Sequence, residues 1–215
     1  MIRILRLAFF TLFVWPVILI FMGLNVRHRE RLKLKGPAIL VANHNSHLDV
    51  AVMMSLFPIK TFQKIKPVAA ADYFLRSPRL AWFSKNIVGI IPIARKKEDR
   101  KHGVDPLADI QKSLDDGHII IYFPEGSRGN PEEMTELKKG IAHLSAHNPD
   151  VPILPIFMHG LGKALPKDES FFVPFIVDVV VGEAFTYLGS KDACMQHLNQ
   201  TFAELKSELP IKEWA

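Results

Sequence analysis

AILVANHNSHLD, residues 38–49, is the part of the sequence from which the architecture can be worked out. Its first five residues form a continuous apolar run after Pro37, which is typical of a strand buried on both faces of a sheet. A polar turn follows, and apolar residues then recur at helical spacing over 47–57. Ser46 and Asp49 stand three positions apart at the start of this segment, as in a capping box. The stretch therefore predicts a buried strand, a short turn and a helix.

The remainder of the chain repeats this alternation of short apolar runs and amphipathic segments. Such an order predicts an α/β fold, with a central, largely parallel sheet flanked by helices. The further predicted strands cover 66–71, 87–94, 118–123, 152–157 and 175–181, and the further predicted helices cover 79–86, 105–114, 136–146 and 191–209.

The beginning of the chain differs from this pattern. Residues 7–24 carry no charge, and as a helix these 18 residues would be roughly 27 Å long, close to the thickness of the apolar part of a bilayer. Basic residues flank the run on both sides, and the larger group lies downstream, which by the positive-inside rule puts the following domain on the cytoplasmic side. We therefore expect residues 1–35 to be a membrane-anchoring helical segment with a basic linker, and residues 36–215 to form the globular domain.

Other interpretations of the first segment stay open. A cleaved signal peptide also starts with basic residues and an apolar run, but no small-residue cleavage site follows here. A buried core helix is a second alternative. Pro16 lies in the middle of the run and would kink a helix, so the segment could enter the membrane as a monotopic hairpin instead of spanning it.

The composition narrows the class of protein. With 48% hydrophobic and 23% charged residues, the chain is too apolar to be disordered, and its 215 residues fit one domain of ordinary size. The formal net charge of +5 favours an anionic partner, which could be nucleic acid, an anionic lipid surface or a phosphorylated substrate. The one cysteine, Cys194, cannot form an internal disulfide, which fits a reducing compartment.

His44 and Asp49 are the residues whose spacing points to catalysis. If His44 lies in the turn and Asp49 in the first helical turn, the carboxylate can accept a hydrogen bond from one imidazole nitrogen and leave the other free to take a proton. In one alternative, Asp49 only caps the helix beside a turn histidine. In another, His44, His47 and Asp49 bind a metal ion, although no H-E-x-x-H motif accompanies them.

A second polar block, FPEGSR at 123–128, follows the predicted strand 118–123 directly, at the position where ligands bind in open α/β sheets. Arg128 offers a bidentate fork, Ser127 a hydroxyl and Gly126 close backbone approach, all of which suit a phosphate. Glu125 could hold a substrate hydroxyl or orient the arginine. Because the block lacks the G-x-S-x-G spacing of a nucleophile elbow, the natural nucleophile is a hydroxyl of the substrate. A plain turn with a surface Glu and Arg pair is the alternative.

Four blocks, taken in order, resemble the glycerolipid acyltransferases, in particular the bacterial lysophosphatidic acid acyltransferases. The blocks are NHNSHLD (43–49), GIIPIAR (89–95), FPEGSR (123–128) and VPILPI (151–156). The resemblance implies transfer of a fatty acyl group to the free hydroxyl of a lysophospholipid, with 1-acyl-glycerol 3-phosphate giving phosphatidic acid in phospholipid biosynthesis. It also implies acyl-CoA or acyl carrier protein as thioester co-substrate, no other cofactor, no metal and no nucleic acid. The implied location is the membrane bilayer, at the cytoplasmic face of the bacterial inner membrane.

The resemblance further implies roles for single residues. His44 would take the proton of the acceptor hydroxyl as this attacks the thioester, and Asp49 would stabilise the imidazolium. The fourth block would shape the acyl site around Pro152 and Pro155. The residues expected to bind the glycerol phosphate acceptor are Gly89, Arg95, Glu125, Gly126, Ser127 and Arg128, joined by Lys138 and Lys139 of an LKKG segment.

Departures from the family pattern weaken the inference to a single acceptor. Leu137 replaces Phe, Ser127 replaces the more frequent Thr, and Pro92 with Ala94 alters a block whose middle is often aromatic and acidic. The alternatives are a related acyltransferase that uses glycerol 3-phosphate, another lysophospholipid or a lyso-aminolipid. A basic module that binds membrane or nucleic acid without catalysis is the rival from another class, but it leaves the His and Asp pair unexplained.

Overall fold

The computed structural model describes residues 1–94, 105, 107–164 and 176–209, and over these residues one seven-stranded sheet forms the centre of the molecule. Its order is β1-β7-β6-β2-β5-β3-β4, and the neighbouring strands are parallel except for β6 with β7. The predicted α/β fold with a largely parallel sheet flanked by helices is confirmed. The strands are β1 (Leu24–Arg27), β2 (Ala38–Ala42), β3 (Ile65–Ala70), β4 (Ile91–Ile93), β5 (Ile119–Tyr122), β6 (Ile153–His159) and β7 (Val177–Val181).

Helices cover both faces of the sheet. Two of them begin at serines that act as N-caps: Ser77 Oγ accepts from Leu80 N–H and Ser190 Oγ from Ala193 N–H. The helices are α1 (Ile2–Phe9), α2 (Asp49–Ser55), α3 (Ile59–Phe62), α4 (Ala71–Phe74), α5 (Pro78–Phe83), α6 (Ala108–Asp115), α7 (Gly140–His147), α8 (Leu161–Ala164) and α9 (Lys191–Ser207). Turns of π-helix extend α1 over Phe10–Val14 and Val17–Phe21 and extend α5 over Ser84–Val88, and a 3₁₀ turn covers Arg29–Leu32.

Strand β2 lies at the middle of the sheet and separates two hydrophobic cores. Ala38, Leu40 and Ala42 belong to the core that contains α2 and the first helix, which we call the front face. Ile39 and Val41 belong to the core that contains α6, α7 and α9, which we call the back face. All five residues are fully buried, which explains why the strand is a continuous apolar run instead of an alternating one.

The first helix, Ile2–Ile20, is long enough and on average apolar enough to cross a membrane, by length and composition alone. One side of it belongs to the protein core, because Phe10 and Ile18 are buried in the front face. The opposite side presents large apolar side chains to the outside, among them Leu12, Phe13 and Ile20. The helix therefore lies along the domain and has a second apolar surface that the protein does not cover.

Arg6 ties this helix to the sheet. Its guanidinium donates to the backbone carbonyls of Gln63, Ile65 and Val88 at 3.2, 2.9 and 3.2 Å, and it stacks over the Phe62 ring at 4.8 Å. These carbonyls belong to the start of β3 and to the turn before β4. A buried arginine bonded to three carbonyls fixes the position of the helix along the front face.

Two of the predicted elements begin four residues later than predicted. The strand predicted over 87–94 begins only at Ile91, because Ile87 and Val88 complete the π-helical turn and Gly89 then reverses the chain with a φ of 80°. An apolar run alone does not distinguish a strand from a buried helical turn. The helix predicted over 136–146 begins only at Gly140, because the backbone N–H of Lys138 donates to the Pro124 carbonyl instead of entering a helix.

Strand β1 and the short helices α3, α4 and α8 have no counterpart in the sequence prediction. Strand β1 covers the end of the apolar run and the first of the basic residues, and it pairs with β7 at the edge of the sheet. Its four residues are too few to give a clear alternation, and the pairing that stabilises it comes from residues more than 150 positions away in the chain.

Candidate active site

The site lies where β2 and β5 end. These strands are parallel neighbours, with Val41 beside Tyr122, so the chain leaves both of them at the same edge of the sheet. The NHNSHLD turn and the FPEGSR turn are therefore adjacent although about 80 residues separate them in the sequence. This edge, at the carboxyl ends of parallel strands, is where open α/β sheets bind ligands.

His44 and Asp49 meet in the first of these turns. Asp49 Oδ2 lies 2.7 Å from His44 Nδ1 and also accepts from the backbone N–H groups of Asn45 and Ser46, at 2.7 and 2.9 Å. The Asp49 side chain is buried, whereas that of His44 is 21% exposed. Because the Asp49 oxygen already accepts two N–H groups, His44 Nδ1 must donate to it and carry the ring proton. The spacing argument for this pair agrees with the observed geometry.

The other nitrogen of His44, Nε2, is available for proton transfer. It has no hydrogen-bond partner among the residues that the structure describes, and the ring lines a cavity of about 1050 Å³. The Phe123 ring stacks on the imidazole with centroids 4.2 Å apart and an interplanar angle of 20°. The ring is thus held by a carboxylate at one nitrogen and by an aromatic face, while the other nitrogen keeps its lone pair free of protein contacts in the described part of the chain.

Glu125 joins the two turns. Its Oε1 accepts from His44 N–H at 2.7 Å, and its Oε2 accepts from both the backbone N–H and the hydroxyl of Thr135, each at 2.7 Å. The side chain is buried. Both carboxylate oxygens are therefore used by protein donors, and Glu125 holds the turn that carries His44 against the loop that contains Thr135. The contact of Glu125 with the acceptor stays a prediction. Its observed hydrogen bonds are all with groups of the protein.

Three cationic or polar side chains of the expected phosphate site line the cavity together: Ser127, Arg128 and Lys138. Gly126 has a φ of 71°, and the Lys138 Nζ lies 2.8 Å from the point that a Cβ on Gly126 would occupy. Any larger residue would therefore be strained and would displace the lysine. Arg128 also donates to His47 Nε2, which ties the arginine to the turn that carries His44.

Lys139 and Gly89, two further residues expected to bind the acceptor, do not line the main cavity. Lys139 lines a smaller adjoining cavity of about 460 Å³ and is exposed, with its Nζ 3.7 Å from Asp192 Oδ1. Gly89 does not line the main cavity, because it packs against the Arg6 guanidinium, where a Cβ would come within 3.2 Å of that group. Gly89 instead forms the turn before β4 and leaves room for Arg6 of the first helix. Arg95 lies outside the described residues.

The cavity has walls of two kinds. Near His44 it is bounded by the polar side chains just described, whereas the first helix, α2 and the segments after β3 contribute an apolar wall. That apolar wall consists of Phe9, Phe10, Val14, Val50, Ala51, Phe74, Phe83 and Ile90. A site with a cationic end and a long apolar wall is suited to an amphiphile with an anionic head group.

Two of the side chains that would bind a metal ion, Asp49 and His47, have hydrogen-bond partners in the folded protein. Asp49 Oδ2 is occupied by three donors and His47 Nε2 by Arg128. Across the part of the chain that the structure describes, no cluster of three or more His, Cys, Asp or Glu side chains could hold a metal ion.

Four residues that support the site were not predicted from the sequence: Asn43, Glu132, Thr135 and His159. Asn43 bridges β2 and β6, because its side-chain amide donates to the Met158 carbonyl and accepts from the Met158 N–H, at 2.8 and 2.7 Å. Thr135 contacts Glu125 as described. Glu132 and His159 contact each other, with Glu132 Oε2 2.8 Å from His159 Nδ1. The position of Asn43 beside His44 was the only signal, since no pattern marked the other three.

Glu132 anchors the loop between Arg128 and Lys138. Its carboxylate is 2.8 Å from His159 Nδ1 and accepts from the backbone N–H groups of Gly160 and Gly162 at 2.9 and 2.7 Å. Glu132 itself has a φ of 63°, an unfavourable conformation for a residue other than glycine, which these contacts must offset. The loop that carries both cations is thus fixed to the segment after β6.

Comparisons with known proteins agree with this description. A family model described as "Acyltransferase" matches residues 23–159. A chloroplastic 1-acyl-sn-glycerol-3-phosphate acyltransferase of Arabidopsis thaliana is 31% identical over 147 residues, which are 68% of this chain and 38% of the plant protein. The human 1-acyl-sn-glycerol-3-phosphate acyltransferase beta is 25% identical over 196 residues, which cover 86% of this chain and 67% of the human protein. The chain thus spans well under half the length of the plant relative.

A solved structure shares the fold. The crystal structure of the 1-acyl-sn-glycerophosphate (LPA) acyltransferase PlsC from Thermotoga maritima aligns over 100% of this chain and 80% of its own, with a TM-score of 0.73 and 19% sequence identity. The alignment extends through the first helix and the sheet, so both parts of the architecture have a counterpart in that protein.

Glu132→Gln should destabilise the protein at neutral pH, because an amide cannot accept all three donors. Loss of hydrogen bonds to a charged group costs about 2 kcal/mol, which corresponds to a fall in Tm of about 5 °C for a domain of this size. Melting followed by circular dichroism measures this. The matched control is Glu133→Gln, an exposed neighbour that accepts from Asn130 and should shift Tm by about 1 °C or less.

The effect should also depend on pH with a defined sign. Burial alone would raise the pKa of Glu132, but the hydrogen bonds from His159 and from the Gly160 and Gly162 N–H groups bring it below its ordinary value of 4.5. The carboxylate therefore stabilises the fold fully above that ordinary value, and the contribution is lost as the pH falls through the lowered pKa. The difference in Tm should shrink in acid, and equal melting temperatures at pH 7 would show that these bonds do not hold the loop.

Proposed function

This chain belongs to the acyltransferase family, and we propose that it transfers a fatty acyl group from a thioester to the free hydroxyl of a lysophospholipid. The acceptor in this proposal is 1-acyl-glycerol 3-phosphate and the product is phosphatidic acid, a step of phospholipid biosynthesis. The donor is acyl-CoA or acyl carrier protein, and the reaction uses no further cofactor. Relatives named 1-acyl-sn-glycerol-3-phosphate acyltransferases in a plant and in humans support this choice of acceptor.

One observation carries the proposal. His44 is held at Nδ1 by a buried carboxylate, 2.7 Å away, and its ring lines the same cavity as the cations Arg128 and Lys138. A general base and an anion site that share one cavity fit a substrate with a hydroxyl close to a phosphate. A membrane-binding or nucleic-acid-binding module without catalysis would have no use for the oriented imidazole.

The reaction is a direct transfer. His44 Nε2 takes the proton of the acceptor hydroxyl while its oxygen attacks the thioester carbonyl, and the negative charge of Asp49 stabilises the imidazolium. The carbon–sulfur bond then breaks, and the imidazolium returns the proton to the leaving thiolate. General-base catalysis of this kind contributes roughly 10² to 10⁴ in rate, so binding of the phosphate must supply much of the remaining acceleration by orienting the hydroxyl.

Acceptor binding is assigned to the cationic end of the cavity. Arg128 offers the bidentate fork, Lys138 a point charge and Ser127 a hydroxyl, and all three line the cavity that contains His44. His47 would act as a positioning residue through its hydrogen bond with Arg128. Arg95 and Lys139 stay candidates for outer phosphate contacts.

Membrane attachment through the first helix completes the proposal. The helix has one face in the protein core and an opposite apolar face, so it can enter one leaflet while it lies along the domain. Its buried face and the Arg6 contacts favour such monotopic insertion over a straight span. Basic residues after the apolar run favour the cytoplasmic face of a bacterial inner membrane. Protease digestion of spheroplasts tests the face, because the domain should be cut only after lysis.

The enzymatic test uses purified protein with acyl-CoA or acyl carrier protein thioester and a panel of acceptors, with products identified by mass spectrometry. The panel contains 1-acyl-glycerol 3-phosphate, glycerol 3-phosphate, a lysophospholipid with a larger head group and a lyso-aminolipid. We expect phosphatidic acid as the main product. His44→Ala and Asp49→Asn should each lower kcat by at least about 10³ while the protein stays folded. Near-normal turnover by folded His44→Ala would contradict the mechanism, and a different preferred acceptor would correct the substrate.

Arg128→Ala should affect the two substrates unequally. Loss of a bidentate, charge-assisted contact should raise KM for the phosphorylated acceptor by about tenfold or more, with less than about a twofold change in KM for the thioester. The control is Lys112→Ala, which removes an exposed positive charge on the solvent side of α6, outside the cavity lining. Equal effects of Arg128→Ala on both KM values would move Arg128 out of the acceptor site.

Membrane binding should depend on the exposed face of the first helix. Leu12→Ser with Ile20→Ser removes two outward apolar side chains, which are 67% and 76% exposed, without opening the core. Binding to vesicles of phosphatidylethanolamine and phosphatidylglycerol in high salt should weaken by about tenfold or more. Ile59→Ser with Leu188→Ser, at exposed apolar sites elsewhere, is the matched control. Unchanged vesicle binding by the first variant would place the membrane contact in another part of the chain.

A further inference from the structure

The cavity beside His44 extends to both faces of the sheet. Adjacent residues Tyr122 and Phe123 point to opposite sides, with Phe123 in the front-face core and Tyr122 in the back-face core. The front part of the cavity is bounded by the apolar wall from the first helix. The back part, which we call the back lobe, is lined by Tyr122, Lys138, Gly140, His143, His147, Asp105 and Leu107. His44 lines the same cavity.

The chemistry of the back lobe is different from that of the apolar wall. Tyr122 is buried at its inner end, and burial raises the pKa of the phenol, so the hydroxyl stays neutral and can donate or accept a hydrogen bond. No group within the described residues bonds this hydroxyl, although it fills the space where Gly140 would otherwise have a Cβ. The hydroxyl is therefore available to a ligand.

The mouth of the back lobe is polar and mainly basic. His143 and His147 stand one turn apart on α7, both are exposed, and Lys191 Nζ lies 3.0 Å from His143 Nδ1. Lys138 also lines this lobe, but its charge is already assigned to the acceptor phosphate. Asp105 is the one acidic residue of the described lining, and it accepts from the Leu107 N–H. A ligand in this lobe would thus meet neutral hydrogen-bonding groups inside and positive charge at the opening.

We propose that the back lobe binds the phosphopantetheine arm of the acyl donor, a role that rests on the acyl transfer proposed above. This arm is common to CoA and acyl carrier protein and consists of amides that end in a phosphate. With the thioester carbonyl at His44, the acyl chain extends along the apolar wall and the sulfur side extends past Tyr122. The phosphate then reaches the opening near His143 and Lys191. After transfer, the carbon–sulfur bond is broken and the protonated thiol leaves through the same lobe.

This arrangement separates the two substrates by their solubility. The first helix, with its exposed apolar surface, covers the front face, so a lipid acceptor can enter from the bilayer on that side. The opening at α7 lies on the back face, away from that helix, where a water-soluble donor can approach. Donor and acceptor would therefore reach His44 from opposite faces of the sheet without competing for one entrance.

The experiment compares three donors with the same acyl chain: acyl-CoA, acyl carrier protein thioester and acyl-pantetheine, which lacks the phosphate. Full-length enzyme is assayed at fixed 1-acyl-glycerol 3-phosphate. Tyr122→Phe should raise KM for all three donors by about threefold to tenfold, the effect of one lost hydrogen bond. His143→Ala with Lys191→Ala should raise KM for one or both phosphorylated donors and leave acyl-pantetheine unchanged. The phosphorylated donor whose KM rises is the one whose arm the back lobe binds. KM for the acceptor should stay unchanged.

The control for loss of a phenol hydroxyl is Tyr187→Phe, outside the cavity, which should change no KM. If Tyr122→Phe proves unstable in a melting assay, His147→Ala at the exposed mouth serves as the second variant and should act like the His143 and Lys191 pair. Unchanged donor KM values in these variants, or an effect on the acceptor alone, would overturn the inference. Absence of turnover by the wild type with every donor would instead refute the proposed function.

Discussion

Three hydrogen bonds to one buried oxygen, Asp49 Oδ2, set the geometry on which the candidate site depends. His44 Nδ1 and the backbone N–H groups of Asn45 and Ser46 all converge on this atom within 2.9 Å. The backbone bonds shape the turn and the first turn of α2, and the imidazole bond fixes both the orientation and the tautomer of His44. The second oxygen, Oδ1, is buried without a partner among the described residues, which is unfavourable for stability. Such a cost is typical of groups that are retained for function.

The sheet then brings the rest of the site to this turn. Because β2 and β5 are parallel neighbours, the loops after them share one edge, and Glu125 connects them through His44 N–H and Thr135. Glu132 fixes the same loop to the end of β6. The general base and the cationic pocket are thus held by buried carboxylates that bond backbone N–H groups. The positions of Arg128 and Lys138 follow from these braces, and the chemistry proposed here needs both side chains within one cavity.

Part of this arrangement could be predicted from sequence. The continuous apolar run before His44 predicted a buried central strand, and the spacing of His44 and Asp49 predicted their hydrogen bond, because both signals are local. The predicted start of β4 was wrong because Ile87 and Val88 are equally compatible with a strand and with a helical turn. Only the positive φ of Gly89 decides between these two structures. The roles of Glu132 and Gly89 depend on contacts with His159 and Arg6, far apart in the chain, and no local pattern carries that information. The family resemblance identified motif positions such as Gly89 and Glu125. It did not distinguish residues that bind a ligand from residues that hold the structure of the site.

The central claim is that Asp49 holds His44 as a general base with the proton on Nδ1 and a free Nε2. Nitrogen-15 NMR of the wild-type protein with labelled histidine, with His44 identified by its loss in His44→Ala, measures this directly at a pH where the ring is neutral. The account predicts a protonated Nδ1 and an unprotonated Nε2. A neutral His44 with its proton on Nε2 would contradict it, because that ring could neither donate to Asp49 Oδ2 nor accept the proton of a substrate hydroxyl.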